Sequence, residues 1–196
     1  MLYLDYIGTF VFALTGSSIA IKSNFDFFGI VFLAFITATG GGTVRDLILD
    51  RIVFWTVNSI YFYLILSAAI VMFFLSKPIS KIKNCLFLLD TVGLGTFAVI
   101  GVQISLAAKV NYESCIILGL ISGVLGGILR SLFNKEVPII FTKEVYATCA
   151  ILSSVSYLLL TLQGVNQLLS SFISIFICLL FRLLAVKYKF SIPKAL

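Results

Sequence analysis

The sequence predicts an all-α integral membrane protein with seven transmembrane helices, arranged as two inverted three-helix repeats and one further helix. Three observations lead to this fold class. The 196 residues are 61% hydrophobic and only 11% charged, whereas soluble domains carry about 25% charged residues. Seven apolar segments follow one another along the chain. The first three of these segments also resemble the next three at a fixed sequence offset.

Each predicted span has about 20 mostly apolar residues, the length that a helix needs to cross a bilayer. The connections are short, and the one after the third span, at residues 76–84, is the most basic. We therefore expect a first repeat at residues 1–84, a second at 85–163, and a seventh helix with a cytoplasmic tail at 164–196. The spans are expected at residues 3–21, 28–49, 57–76, 86–107, 113–133, 142–162 and 166–186.

The distribution of lysine and arginine predicts the orientation in the inner membrane. Cytoplasmic loops carry an excess of these residues, and an odd number of spans places the two termini on opposite sides. The N-terminus is therefore expected outside and the C-terminus in the cytoplasm. Topology and contact with membrane lipids account for the net charge of +6 without any nucleic acid. The cytoplasmic set is Lys22, Lys77, Lys81, Lys83, Lys135, Lys187, Lys189 and Lys194, against Arg51 and Lys109 on the other side.

An internal repeat relates the two halves of the chain at an offset of 85 residues. Residues 4–71 match residues 89–156 without a gap, with roughly 14 identities where this composition would give about six by chance. Asp5 matches Asp90, and Arg45 matches Arg130. Because each copy holds three spans, the second copy must start from the opposite face of the membrane. That is an inverted-topology repeat.

Glycines interrupt the second and fifth spans at equivalent positions. A glycine inside a helix costs about 1 kcal/mol relative to alanine, so two explanations are open. Small residues let helices approach closely in lipid. Alternatively, the helix breaks or kinks there, and its freed backbone groups line a polar path. We favour a break or kink at Gly40, Gly41 and Gly42 in the second span and at Gly126 and Gly127 in the fifth.

An arginine follows each glycine stretch after three residues, at Arg45 and Arg130. A charge at the centre of a span costs about 3 kcal/mol or more, and it usually faces a cavity or a partner. The arginines either line the two mouths of one path or reach to the membrane interface as anchors. Asp46 and Asp50 are one helical turn apart, close enough to balance Arg45 or Arg51. The other candidates for lining or gating the path are Thr37, Thr39, Thr43, Ser122 and Lys143. Lys143, at the start of the sixth span, is also typical of an interfacial anchor.

The composition argues against an enzyme, a metal site or a bound cofactor. The chain has no histidine and only eight acidic residues, most of them near span ends, which leaves no supported acid–base pair. The four cysteines show no metal or redox spacing. We expect them to be buried, inert thiols.

Two segments resemble the prokaryotic TRIC family, the trimeric intracellular cation channels. They are GTFVFALTG at residues 8–16 and LAFITATGGGTVRD at residues 33–46, and KEVYAT at residues 143–148 is similar to the family's sixth span. The resemblance covers nearly the whole chain. It implies seven helices, an inverted repeat, a homotrimer, and a potassium-permeable path for monovalent cations in each subunit between kinked helices two and five. It also maps the glycines to the family's kinks and Arg45, Asp46 and Arg130 to its charged motifs.

The sequence leaves two functions open. The first is a monovalent cation channel, which ohmic single-channel current would favour. The second is a secondary transporter of a small zwitterion such as glycine, since members of the wider bacterial family are also described as glycine transporters. The helix ends at a break can hold a carboxylate. Saturable, coupled uptake would favour the transporter.

Overall fold

The computed structural model describes residues 2–75, 83–142 and 145–188. These residues form nine α-helices and no strand. In chain order they are α1 (Leu2–Lys22), α2 (Phe27–Ile48), α3 (Phe54–Val57), α4 (Ile60–Phe74), α5 (Lys83–Ala107), α6 (Tyr112–Phe133), α7 (Ile139–Thr142), α8 (Ala147–Leu162) and α9 (Gln167–Tyr188).

Five of these helices, α1, α2, α5, α6 and α9, are long and apolar enough to cross a membrane. Two shorter apolar helices accompany them, α4 with 15 residues and α8 with 16. The chain is therefore an all-helical membrane protein. Its outer surface carries many exposed phenylalanine, leucine and isoleucine side chains, as expected where lipid replaces water.

The helices of the third and sixth spans begin a few residues later than the approximate starts that the sequence predicts. The third was expected at residues 57–76, but α4 begins at Ile60, because Asn58 has an extended backbone and its side chain accepts a hydrogen bond from the Ile60 N–H. The sixth was expected at residues 142–162, but α8 begins at Ala147. A single helical turn, α3 or α7, precedes each of them.

Helices α2 and α6 start 85 residues apart, as do the single turns α3 and α7. Both α2 and α6 have 22 residues, and they start at Phe27 and Tyr112. The side chain of Asp26 caps α2 by accepting from the Gly29 N–H, and Asn111 caps α6 in the same way. Such caps satisfy N–H groups that have no partner inside the helix. Local chemistry therefore fixes the same helix start in both halves.

The helices pack around two central pairs. Helix α1 runs antiparallel to α5, and the rings of Phe12 and Phe97 meet between them with centroids 5.1 Å apart. These two phenylalanines are equivalent at the 85-residue offset. The second pair is α2 and α6, which cross each other, while α4 packs on α1 and α2 and α8 packs on α5 and α6. Helix α9 packs only against second-half helices, α5 and α8, among the described elements that make extensive contacts.

Candidate ion path

The glycines of α2 and α6 let the backbones of these two helices, one from each half, approach closely. A Cβ atom placed on Gly41 would lie 2.2 Å from the carbonyl oxygen of Ser122, and one on Gly126 would lie 2.2 Å from the carbonyl oxygen of Thr37. Gly41 is equivalent to Gly126, and Thr37 to Ser122, at the 85-residue offset. The two contacts are thus the same contact made twice, as across a two-fold axis. We call this region the glycine crossing.

The predicted helix break at the glycines is wrong. Helix α2 continues from Phe27 to Ile48, and α6 continues from Tyr112 to Phe133, through both glycine stretches. A helix tolerates glycine when tight packing repays its entropic cost, and small residues permit such packing in membranes. The glycines therefore bring two continuous helices together, which is the alternative that the sequence left open. A kink without a break stays a prediction.

The remaining glycines of these stretches contact side chains. A Cβ on Gly40 would meet the flexible end of Leu129 at 2.4 Å. One on Gly42 would meet the Phe54 ring at 2.6 Å, and one on Gly127 would meet the Tyr146 hydroxyl at 2.6 Å. Only Gly41 and Gly126, among the five predicted glycines, oppose backbone. Of these five positions, they are the two where an added methyl group would have to move a helix.

The predicted hydroxyl groups are mostly bonded within their own helix. Thr37, Thr39 and Thr43 donate to carbonyl oxygens four residues earlier, at 2.6, 2.7 and 2.8 Å. Thr43 also accepts from the indole N–H of Trp55 at 2.9 Å. Ser122 differs, because its hydroxyl is buried and has no hydrogen-bond partner among the described residues. Ser122 is thus the hydroxyl with unused capacity at the crossing.

Arg45 belongs to a buried group that we call the first cluster: Asp5, Arg45, Asp46 and Tyr61. Arg45 is 2% exposed, and its Nη2 lies 2.7 Å from Asp46 Oδ1. Asp46 Oδ2 accepts from the backbone N–H of Phe54 at 3.0 Å. The Tyr61 hydroxyl donates to Asp5 Oδ2. The prediction that Asp46 balances Arg45 is confirmed, and Arg45 points into the protein and not to the membrane interface.

Arg130 belongs to the second cluster: Asp90, Arg130, Tyr146 and Arg182. Its Nη2 lies 3.0 Å from Asp90 Oδ1, and the Nη1 of Arg182 lies 2.9 Å from Asp90 Oδ2. The Arg182 guanidinium also lies over the Tyr146 ring, 4.7 Å from its centroid, which is a cation–π contact. Arg130 is 3% exposed. One carboxylate thus holds two guanidinium groups inside the protein.

Sequence reasoning did not identify Asp90 and Arg182 as site residues. Arg182 carried a usable signal, because it is the one charged residue between Gln167 and Val186, and an ionisable residue inside a span is a functional candidate by default. Asp90 carried a weaker signal, its match to Asp5 in the repeat.

Lys143, another predicted path residue, lies outside the described residues, as do four lysines of the predicted cytoplasmic set: Lys77, Lys81, Lys189 and Lys194.

Two cavities lie at opposite ends of the α1–α5 pair. The first cavity, of about 220 Å³, is where the start of α1 meets the end of α5, and its lining includes Asp5 and Arg51. The second cavity, of about 140 Å³, is where the end of α1 meets the start of α5, and its lining includes Asp90, Arg130 and Arg182. Six positions are equivalent in the two linings: Leu2, Asp5, Ile100, Gln103, Ile104 and Ala107 in the first, and Phe87, Asp90, Thr15, Ser18, Ile19 and Lys22 in the second.

In the part of the chain that the structure describes, no cluster of three or more His, Cys, Asp or Glu side chains could hold a metal ion. Cys115, Cys149 and Cys178 are buried, as predicted, but Cys85 is exposed. The expectation of a buried thiol is therefore wrong for Cys85, which lies in the first turn of α5.

The all-helical fold, the glycine crossing and the two buried arginines define a class of polytopic membrane proteins. This class contains the TRIC channels. A TRIC trimeric intracellular cation channel orthologue from Rhodobacter sphaeroides superimposes with a TM-score of 0.91 at 32% identity, over 96% of this chain and 98% of that one. A prokaryotic TRIC channel solved in 0.5 M KCl gives a TM-score of 0.87 at 31% identity, with 97% of each chain covered.

The chain belongs to the family described as Glycine transporter. The family model matches twice, at residues 2–77 and 87–162, so its two matches start 85 residues apart. The UPF0126 membrane protein of Vibrio cholerae is 35% identical over 98% of this chain and 82% of its own length. The UPF0126 inner membrane protein YadS of Escherichia coli K12 is 33% identical over 97% of this chain and 94% of its own. Both relatives are described as membrane proteins.

Proposed function

We propose that this protein is a potassium-permeable channel for monovalent cations, with one ion path in each subunit. The path joins the first and second cavities through the glycine crossing. The observation that carries the proposal is the pair of equivalent cavities at opposite ends of α1 and α5, each with a carboxylate in its lining. The similarity to TRIC cation channels supports the same function.

The glycine crossing lies between the two cavities on this proposal. Phe12 is midway along α1 between Asp5 and Ser18, and its ring lies 3.2 Å from a Cβ placed on Gly126. The crossing also has oxygen atoms that a dehydrated potassium ion can contact once the helices separate: the carbonyl groups of Thr37 and Ser122, and the Ser122 hydroxyl, which has no hydrogen-bond partner among the described residues. Backbone carbonyls are the usual substitute for the hydration shell of K⁺. Because α2 and α6 touch here, conduction requires them to separate, which a kink at the glycines would allow.

The arrangement in the membrane is part of the proposal. Seven spans, with α4 and α8 as the third and sixth, give an inverted repeat at residues 1–84 and 85–163, followed by residues 164–196. The equal lengths and caps of α2 and α6 and the doubled family match support the repeat. The N-terminus lies outside and the C-terminus in the cytoplasm, by the lysine distribution. The homotrimer rests on the similarity to trimeric channels, and native mass spectrometry of the purified protein checks it.

Planar-bilayer recording of the purified protein under a KCl gradient tests the channel. A reversal potential near the potassium equilibrium value supports a cation channel. A reversal potential near the chloride value, or the absence of current, contradicts it. A Gly41→Leu variant is expected to lose the current because its side chain would meet the α6 backbone. Gly40→Ala is the matched control, since only the flexible end of Leu129 opposes it.

A transporter of a small zwitterion such as glycine is the second candidate. The first cavity favours it, because Asp5 offers a carboxylate for an ammonium group and Arg51 offers a guanidinium for a carboxylate, in about 220 Å³. Inverted repeats also suit alternating access. Saturable uptake of labelled glycine into proteoliposomes, lost in Asp5→Asn and Arg51→Gln, would establish this function. Ohmic potassium current without glycine uptake would dismiss it.

A further inference from the structure

The two cavities are equivalent in position but unequal in charge. Among the described residues that line it, the first cavity has one carboxylate, Asp5, and one cation, Arg51. The second cavity has one carboxylate, Asp90, and three cations, Lys22, Arg130 and Arg182. The formal charge of these linings is therefore zero for the first cavity and +2 for the second, since three positive charges minus one negative charge leave two.

Two cations of the second cavity have no cationic counterpart in the repeat: Lys22, whose equivalent is Ala107, and Arg182. Arg182 comes from α9, which has no counterpart in the first half. Its Nη1 lies 2.9 Å from Asp90 Oδ2 and 3.0 Å from the Thr91 hydroxyl. Arg130 already lies 3.0 Å from the other oxygen of Asp90. Each oxygen of the Asp90 carboxylate thus has a guanidinium close to it, and these positive charges offset its attraction for a cation.

We propose that Arg182 makes the ion path electrically asymmetric, so that cations enter it less readily from the second cavity than from the first. This inference rests on the proposed cation channel. Fixed charges at a narrow entrance change the local concentration of mobile ions, and a positive lining depletes cations there. Lys22, at the rim of the same cavity, acts in the same direction. The larger current therefore flows from the first cavity to the second.

The size of the effect follows from Coulomb's law. One unit charge at about 10 Å in water changes the energy of a monovalent cation enough to alter its concentration about twofold. Two excess charges give a ratio of about four between the currents at equal and opposite voltages. The ratio falls towards one at about 1 M KCl, where the Debye length is only about 3 Å.

Single-channel currents in symmetric KCl of about 20 mM, where screening is weak, test the inference. A channel can insert in either orientation, so the current ratio of each channel is its larger current divided by its smaller current at equal and opposite voltages. Arg182→Gln and Lys22→Gln are each expected to lower this ratio from about four to about two, and the double variant to about one. Arg182→Lys keeps the charge and is expected to keep the ratio. Lys187→Gln removes an exposed charge from the same helix outside the cavity, and it is expected to leave the ratio unchanged.

The outcomes separate the inference from the function on which it rests. Current of equal size in both directions from the wild-type protein at low salt, or an unchanged ratio in Lys22→Gln and Arg182→Gln, overturns the asymmetry and leaves the channel intact. The absence of any current from the wild-type protein overturns the channel itself. Lys22 is exposed, so Lys22→Gln tests whether the charge of this cavity lining sets the ratio even if Arg182→Gln does not fold, and Arg182→Met then tests the role of Arg182 with a side chain of similar length and no charge.

Discussion

The first and second clusters occupy equivalent positions in the two halves, yet their arginines are balanced in different ways. Arg45 pairs with Asp46, its neighbour in α2, at 2.7 Å. The position equivalent to Asp46 in the second half is Ser131, so Arg130 pairs with Asp90 of α5 instead. One difference in sequence thus changes a pair within a helix into a pair between helices.

The partners of Asp5 and Asp90 also differ. Asp5 accepts a hydrogen bond from Tyr61 of α4, whereas Asp90 holds two arginines from α6 and α9. Asp90 therefore joins α5 to two helices through ion pairs. Asp5 joins α1 to α4 through a hydrogen bond from a neutral donor. An ion pair thus joins α6 to α5, whereas among the described residues no ion pair joins α2 to α1. The predictions below test this difference, starting with the largest effect.

Asp90→Asn should be the most damaging of these changes. It leaves two buried guanidinium groups without a carboxylate, and breaking a buried ion pair in this way costs about 3–5 kcal/mol. Asp5→Asn should cost only about 1–2 kcal/mol, since Asp5 has a single hydrogen-bonded partner. The free energy of unfolding in mixed detergent, measured for both variants, checks this. Equal losses would refute the difference between the clusters.

Gly41→Ala and Gly126→Ala should each cost about 1–3 kcal/mol, because the added methyl group overpacks a contact with backbone. The two losses should be similar, since the contacts are equivalent. Gly40→Ala should be neutral or stabilising by up to about 1 kcal/mol, from helix propensity. Thermal unfolding of the three variants provides the measurement. A Gly40→Ala loss as large as the others would mean that the whole stretch, and not the crossing, requires glycine.

Ser131→Asp should make the second cluster resemble the first. A carboxylate beside Arg130 gives it a partner in its own helix, and the coupling between Arg130 and Asp90 should fall. A double-mutant cycle with Arg130→Gln and Asp90→Asn measures that coupling. We expect more than about 2 kcal/mol in the wild-type background and less than about 1 kcal/mol in the Ser131→Asp background. Unchanged coupling would show that the serine is not what directs Arg130 to Asp90.

The smallest expected effect distinguishes the two equivalent tyrosines. Tyr61→Phe removes a donor to Asp5 and should cost about 1 kcal/mol. Tyr146→Phe should be close to neutral, because the Tyr146 hydroxyl has no hydrogen-bond partner among the described residues and the ring under Arg182 is retained. Unfolding of both variants under the same conditions compares them. A larger loss for Tyr146→Phe would reveal a polar contact at that hydroxyl.

Much of the fold follows from local sequence. The apolar segments predict the long helices, and the same caps and spacing place α2 and α6 at the 85-residue offset. The resemblance to the TRIC family is confirmed by solved relatives. The starts of α4 and α8 could not be read from hydropathy, because α3 and α7 are also apolar and the break at Asn58 depends on backbone geometry.

The site was less accessible to sequence reasoning. The repeat drew attention to Gly41, Gly126, Arg45 and Arg130, but glycine alone does not distinguish a broken helix from a close contact. That choice depends on the carbonyl groups of the opposite helix, which are far away in sequence. The role of Arg182 depends in the same way on α9 packing against α5. The glycine contact and the role of Arg182 both depend on helices that are distant in sequence, so a local sequence pattern does not predict them.

The most direct test of the central claim, a cation path through the glycine crossing, is silver block at Ser122. A Ser122→Cys variant would be made with Cys85, Cys115, Cys149 and Cys178 replaced by serine, and its potassium current recorded before and after addition of Ag⁺. Silver is a monovalent cation that binds thiolates, and Ser122 contributes the unpaired hydroxyl at the crossing. We predict block in this variant and none in the cysteine-free parent. A potassium current that persists unchanged in Ser122→Cys would contradict a path through the crossing.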